Sequence, residues 1–162
     1  MHRKVIMVAV VGLLAALLAS AASADQPTIQ QFPYEDHFVT ESCGFPVQVD
    51  GVGKVVDISY TDAQGNFHDF QAGPTVKSTL TNLVTGKTIV VNNSGPADFT
   101  FAADGITLVG TGGWIWGRLD PATFTPGIFL TQGRFVLTRS ASGAFRSYTL
   151  TGTTIGLCAR LA

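Results

Sequence analysis

The stretch Lys54-Val55-Val56-Asp57-Ile58-Ser59-Tyr60-Thr61-Asp62, followed at once by Ala63-Gln64-Gly65-Asn66, decides the class of fold. Val56, Ile58 and Tyr60 share one parity while Asp57, Ser59 and Thr61 share the other. That is the two-residue period of a half-buried strand. Gly65 then falls where a tight turn needs positive φ, so the strand stops and reverses.

The same alternation recurs on both sides. Strands are expected near 45–51, 54–62, 66–72, 75–83, 87–93, 97–102, 105–117, 127–139 and 144–159, which makes about eight, or nine if the short third one forms. Val84-Thr85-Gly86-Lys87, Ala103-Asp104-Gly105 and Ser140-Ala141-Ser142-Gly143 read as turns between them. The last strand is the clearest: Tyr148 and Leu150 point one way, and Ser147, Thr149, Thr151 and Thr153 the other. The alternation slips between Gly152 and Gly156, which reads as a bulge. Short connections predict an antiparallel meander, whose longest link, Arg118 to Pro126, carries Pro121 and Pro126. No apolar stripe at helical spacing is sustained, so the class is all-β.

The first 24 residues read as an address. His2, Arg3 and Lys4 precede an apolar run from Val5 to Ala19, and Ala22-Ser23-Ala24 has the small-x-small pattern of a signal-peptidase site. The run falls short of the roughly 20 residues that span a bilayer. The division is therefore 1–24 signal peptide, removed after Ala24, 25–42 polar lead-in, and 43–162 a single β domain. An Ala/Leu-rich leader of this kind looks bacterial. No second spanning segment follows, so the processed chain carries no membrane span.

Residues 25–162 hold 8 basic and 11 acidic side chains, a balance of about −3. The arginines from Arg118 to Arg160 are scattered singly, which excludes the basic stripe of a nucleic-acid binder. Two cysteines in an exported chain read as one disulfide, Cys43–Cys158. Such a bond needs Cα atoms within about 7 Å. In a meander the N- and C-terminal strands meet only if the sheet curls round, so a closed β-barrel is expected, with a β-sandwich as the alternative. Gly110, Gly112, Gly113 and Gly117 suit the corners of a barrel.

Candidate site residues are few. Trp114 and Trp116 lie two apart, so both indoles project from one face and form a stacking platform or fill the core. Arg118 is the nearest charge, and Tyr60 is the aromatic that an interior site would use. His68 and Asp69 are adjacent on a strand and face opposite ways, so they do not make an acid–base pair and read as solvated turn-edge residues. There is no G-x-S-x-G elbow. His37 and His68 are too few for a metal site, and nothing calls for a cofactor.

Ser42-Cys43-Gly44-Phe45-Pro46-Val47, Thr81-Asn82-Leu83-Val84-Thr85-Gly86-Lys87, Asn93-Ser94-Gly95-Pro96, Gly127-Ile128-Phe129-Leu130 and Leu157-Cys158 together resemble a group of small exported actinobacterial β-proteins with no assigned activity. The resemblance covers most of residues 25–162. It implies pairing of the end cysteines and brings no catalytic residues with it. The function expected is a secreted, non-enzymatic binding module for a small apolar or flat ligand. The alternatives are a module that contacts another envelope protein and a barrel enzyme acting on a small apolar substrate.

Overall fold

The computed structural model describes residues 25–162. The expected signal peptide and its cleavage after Ala24 lie outside those residues. Nine strands form one antiparallel sheet: β1 Thr28–Thr40, β2 Val47–Thr61, β3 Phe67–Gly73, β4 Lys77–Asn82, β5 Thr88–Asn92, β6 Gly95–Ala102, β7 Gly105–Trp116, β8 Phe129–Ser140 and β9 Phe145–Gly156. A single helical turn, α1 Cys158–Leu161, ends the chain. Among the described residues, no helix is long and apolar enough to cross a membrane.

The supposed lead-in is a strand. β1 pairs with the whole of β2 from Thr28↔Ser59 to Thr40↔Val47. The two strands expected at 45–51 and 54–62 are one, β2, because the Val-rich run carries through Gly51 and Gly53 without a break.

Successive strands pair from β1 to β3, from β4 to β5 and from β6 to β9, and the meander is broken between β3 and β4 and between β5 and β6. The other edge of β2 is shared, with Val47–Val52 paired to β4 and Val56–Thr61 to β3. β3 and β4 thus follow each other along one neighbour, with a corner at Gly73-Pro74-Thr75-Val76. β5 and β6 repeat that corner alongside, at Asn93-Ser94.

The corners continue as a line of glycines across the sheet. Gly73 pairs with Gly95, Gly112 with Gly133, and Gly133 with Gly152. A Cβ on Gly133 would lie 2.2 Å from the Thr151 carbonyl oxygen, and φ there is +129°. No side chain fits, so the strands bend where backbone meets backbone. The bend is sharp. Trp116 pairs with Phe129, six residues from Phe135, which an extended strand would place about 20 Å away, yet the Trp116 and Phe135 rings are 5.3 Å apart. The bulge expected between Gly152 and Gly156 is therefore this fold line. The register there is unbroken, and the one shift between β8 and β9 falls at Thr138/Arg139.

Folding the sheet creates two cores. In the first, Val47, Val49, Leu80 and Val91 pack against Ile128, Leu130, Leu157 and Leu161, with Ile115 and Ile155 beside them. In the second, Ala97, Leu108, Phe135 and Leu137 pack with Phe99, Trp114, Trp116, Tyr148 and Leu150. The sheet is not closed into a barrel: β1 pairs only with β2, and β9 only with β8.

Cys43 and Cys158 are bonded, with Cα atoms 5.2 Å apart. The bond ties the β1–β2 turn to the start of α1 and does not lie between paired strands. Side chains complete the junction: Asn82 Nδ2 donates to the Leu161 carbonyl at 3.1 Å and Lys87 Nζ to the Ala162 carbonyl at 2.7 Å.

Candidate functional site

A cavity of about 230 Å³ sits at the fold line, between the two cores. Its aromatic lining is Tyr34, Phe38, Phe99 and Trp114, and its polar lining is Asp36, Gln71, Ser78 and Asn93. The register explains how these residues converge. Val47, Val49 and Val55 mark the buried face of β2, and paired residues share a face. Tyr34, Asp36 and Phe38 of β1 lie opposite Gly53, Gly51 and Val49, so all three point inward. Gln71 lies opposite Asp57, and Phe99 opposite Asp69.

Glycine makes the room. A Cβ on Gly51 would lie 3.0 Å from Tyr34 Cε1, and the two nearest atoms to one on Gly110 are Phe135 ring carbons, both at 2.4 Å. The edge of the tyrosine ring therefore sits over bare backbone at Gly51 on one wall. On the other wall, Phe135 seats in the gap below Trp114, in an edge-on contact at 5.4 Å.

The polar groups form short chains. Ser78 Oγ donates to Asn93 Oδ1 at 3.2 Å, and Gln71 Nε2 to Asp69 Oδ2 at 3.0 Å. The other oxygen of Asp69, Oδ1, is buried without a hydrogen-bond partner. Burial, followed by the charge of Asp57, holds the Asp69 carboxyl above the ordinary carboxylate range. Burial, followed by the Asp36 charge, likewise raises the Tyr34 hydroxyl.

The candidates named from the sequence are not brought together. Trp114 lines the cavity. Trp116 belongs to the core, its ring against Phe135 and Tyr148 and its Nε1 donating to Thr131 Oγ1 at 3.1 Å. Arg118 is exposed at the start of the loop and is absent from the cavity wall. Tyr60 lies on the opposite face of β2, stacked on His68 with parallel rings 4.7 Å apart.

His68 is not a solvated edge residue. Its side chain is 14% exposed, with Nε2 3.2 Å from Asp62 and Nδ1 3.3 Å from Asp98. Burial lowers its pKa, but hydrogen bonds and charge from both carboxylates offset this and leave the value raised. Asp62, held by Asn66 first and then by His68 and Gln64, is lowered to about 2. The neighbouring Asp69 points to the other face, as adjacent strand residues must. No group of three or more His, Cys, Asp or Glu among the described residues could hold a metal ion.

No protein-family model, curated protein or solved structure matches this chain.

Proposed function

We propose that the protein is a secreted, non-enzymatic binding module that takes one small, flat, largely apolar molecule into the cavity at the fold line. The observation that carries the proposal is the wall itself, where four aromatic rings meet a few hydrogen-bonding side chains, the usual make-up of a small-molecule site. A volume of about 230 Å³ lies above the ~150 Å³ that accepts benzene in an apolar core and below the ~300 Å³ where drug-sized sites begin. A ligand of one or two fused rings matches that size. Secretion rests on the leader sequence and is compatible with the disulfide.

Indole is a suitable first probe, followed by NMR through the two indole N–H signals of the protein. Binding is expected to move the Trp114 signal and leave that of Trp116 in place, and Asn93→Trp, which fills the cavity from its loop, should abolish the shift. An unmoved Trp114 signal at millimolar indole, together with no co-purifying small molecule in native mass spectra of the exported protein, overturns the reading.

One observation favours a second reading, contact with another envelope protein. In the Arg118–Pro126 loop, Phe124 is 51% exposed at φ +57° and packs edge-on against Phe145, itself 40% exposed. Phe124→Ser should abolish capture of a partner if this patch is a contact. Unchanged capture sinks that reading.

A further inference from the structure

Resting on the cavity reading above, we infer that the molecule bound there carries a positive charge, as an alkylated or aromatic ammonium group.

The inference comes from which side chains the register places on each face. On the buried face of β1, β2, β3, β4 and β6, the charged residues are Asp36, Asp57 and Asp69, and none is basic. The lysines of these strands lie on the opposite face, Lys54 paired to Pro33 and Lys77 to Val52, as does His68, paired to Tyr60. Segregation of this kind biases the inner face of these five strands toward negative charge.

The cavity sits within that field. Asp36 is an exposed carboxylate on the wall, and its Oδ2 accepts a 3.4 Å hydrogen bond from the Tyr34 hydroxyl. Asp69 stands behind Gln71 and Phe99, with Oδ1 buried and unpartnered. Asp69 does not itself line the cavity, so a cation seated there acts on its unpartnered oxygen through charge and not through a hydrogen bond.

Tyr34, Phe38, Phe99 and Trp114 supply the remaining element. Ring faces attract an alkylated ammonium, whose charge is spread over its carbons and which needs no strong hydrogen bonds. A phosphate or carboxylate ligand would instead meet Asp36 on the wall, with Asp57 and Asp69 on the same sheet face and no base in the lining. The polar lining offers one amide donor group each from Gln71 and Asn93, and those of Gln71 are partly committed to Asp69. The geometry therefore selects against anions as well as for cations.

The test compares phenyltrimethylammonium with its neutral carbon isostere tert-butylbenzene, both followed through the Trp114 indole signal in the full exported protein. The cation is expected to bind at least tenfold more tightly, and Asp36→Asn to cut that preference to less than threefold. Asp69→Asn should also lower the preference. Its fold is checked by the unchanged signal of Trp116. Equal binding of the two probes, or binding of indole with no binding of the cation, overturns the charge inference and leaves the cavity reading standing. If indole, the cation and the isostere all fail to move Trp114, both readings fall together.

Discussion

Reducing the Cys43–Cys158 bond while every side chain stays in place isolates what the cross-link contributes. The bond closes a loop of 115 residues. In the chain-entropy treatment that loop removes about 16 cal/mol/K from the denatured ensemble, about 5 kcal/mol at 25 °C as an upper bound. Domains of this size are stable by roughly 5–15 kcal/mol in total, so a contribution near that bound is a large share of the stability. The structure explains why no other contact substitutes for it. β1 and β2 share no ladder with β9. Without the bond, the chain end is held by Leu157 and Leu161 in the first core, by the Leu157 N–H donating to the Ile128 carbonyl at 2.8 Å, and by the Asn82 and Lys87 contacts.

The assay is urea unfolding of the oxidised and the reduced protein, followed by tryptophan fluorescence and paired with native-state hydrogen exchange. The reduced protein should be less stable by about 3–5 kcal/mol, with a steeper urea dependence because its unfolded chain exposes more surface. Amides of Leu157, Arg160 and Ala162 should lose protection first, while those of the β7–β8 ladder keep theirs. A loss below about 1 kcal/mol with unchanged protection at the C-terminal turn would refute the assignment of this bond as the main tie between the ends.

Three further outcomes can be checked by standard methods. Gly133→Ala forces a Cβ to within 2.2 Å of a carbonyl oxygen and should cost more than about 3 kcal/mol, whereas Gly143→Ala, with open space around it at φ +81°, should cost about 1–2 kcal/mol; equal losses in urea melts would discount the fold line. Phe135→Ala empties the centre of the second core, where the ring is 0% exposed, and should cost about 3–5 kcal/mol with a red shift in tryptophan emission. The raised pKa of His68 gives a contribution to stability that is complete below about 6.5 and lost as pH rises through the folded-state value. Melting temperature should therefore fall as pH rises above about 6.5 in the wild type and fall less in His68→Gln, and identical profiles would exclude His68 as the source. The lowered Asp62 has the opposite sign, its contribution being present above 3.8 and lost as pH falls toward about 2.

Local chemistry by itself determined the all-β class, most strand positions, the turns at Gly65, Gly86 and Gly143, and the pairing of the two cysteines. A two-residue period and a glycine at positive φ are properties of neighbours in the chain, so they can be read without knowing what packs where. The first strand could have been read in the same way, since Phe32, Tyr34 and Phe38 alternate with Pro33, Glu35 and His37. The cluster of Glu35, Asp36 and His37 masked that signal and made the segment look like a solvated lead-in.

The tertiary structure alone decided the rest. That β3 and β4 share one edge of β2, that five glycines distant in sequence align into a fold line, and that the sheet stays open all depend on which strands pair, and alternation is silent on partners. Trp114 and Trp116 share a parity, a strand and contact with Phe135, yet only Trp114 also reaches the cavity wall. The cavity draws its wall from β1, β2, β3, β4, β6 and β7 with their corners. No stretch of sequence contains it, because it exists only where the folded sheet brings those strands face to face.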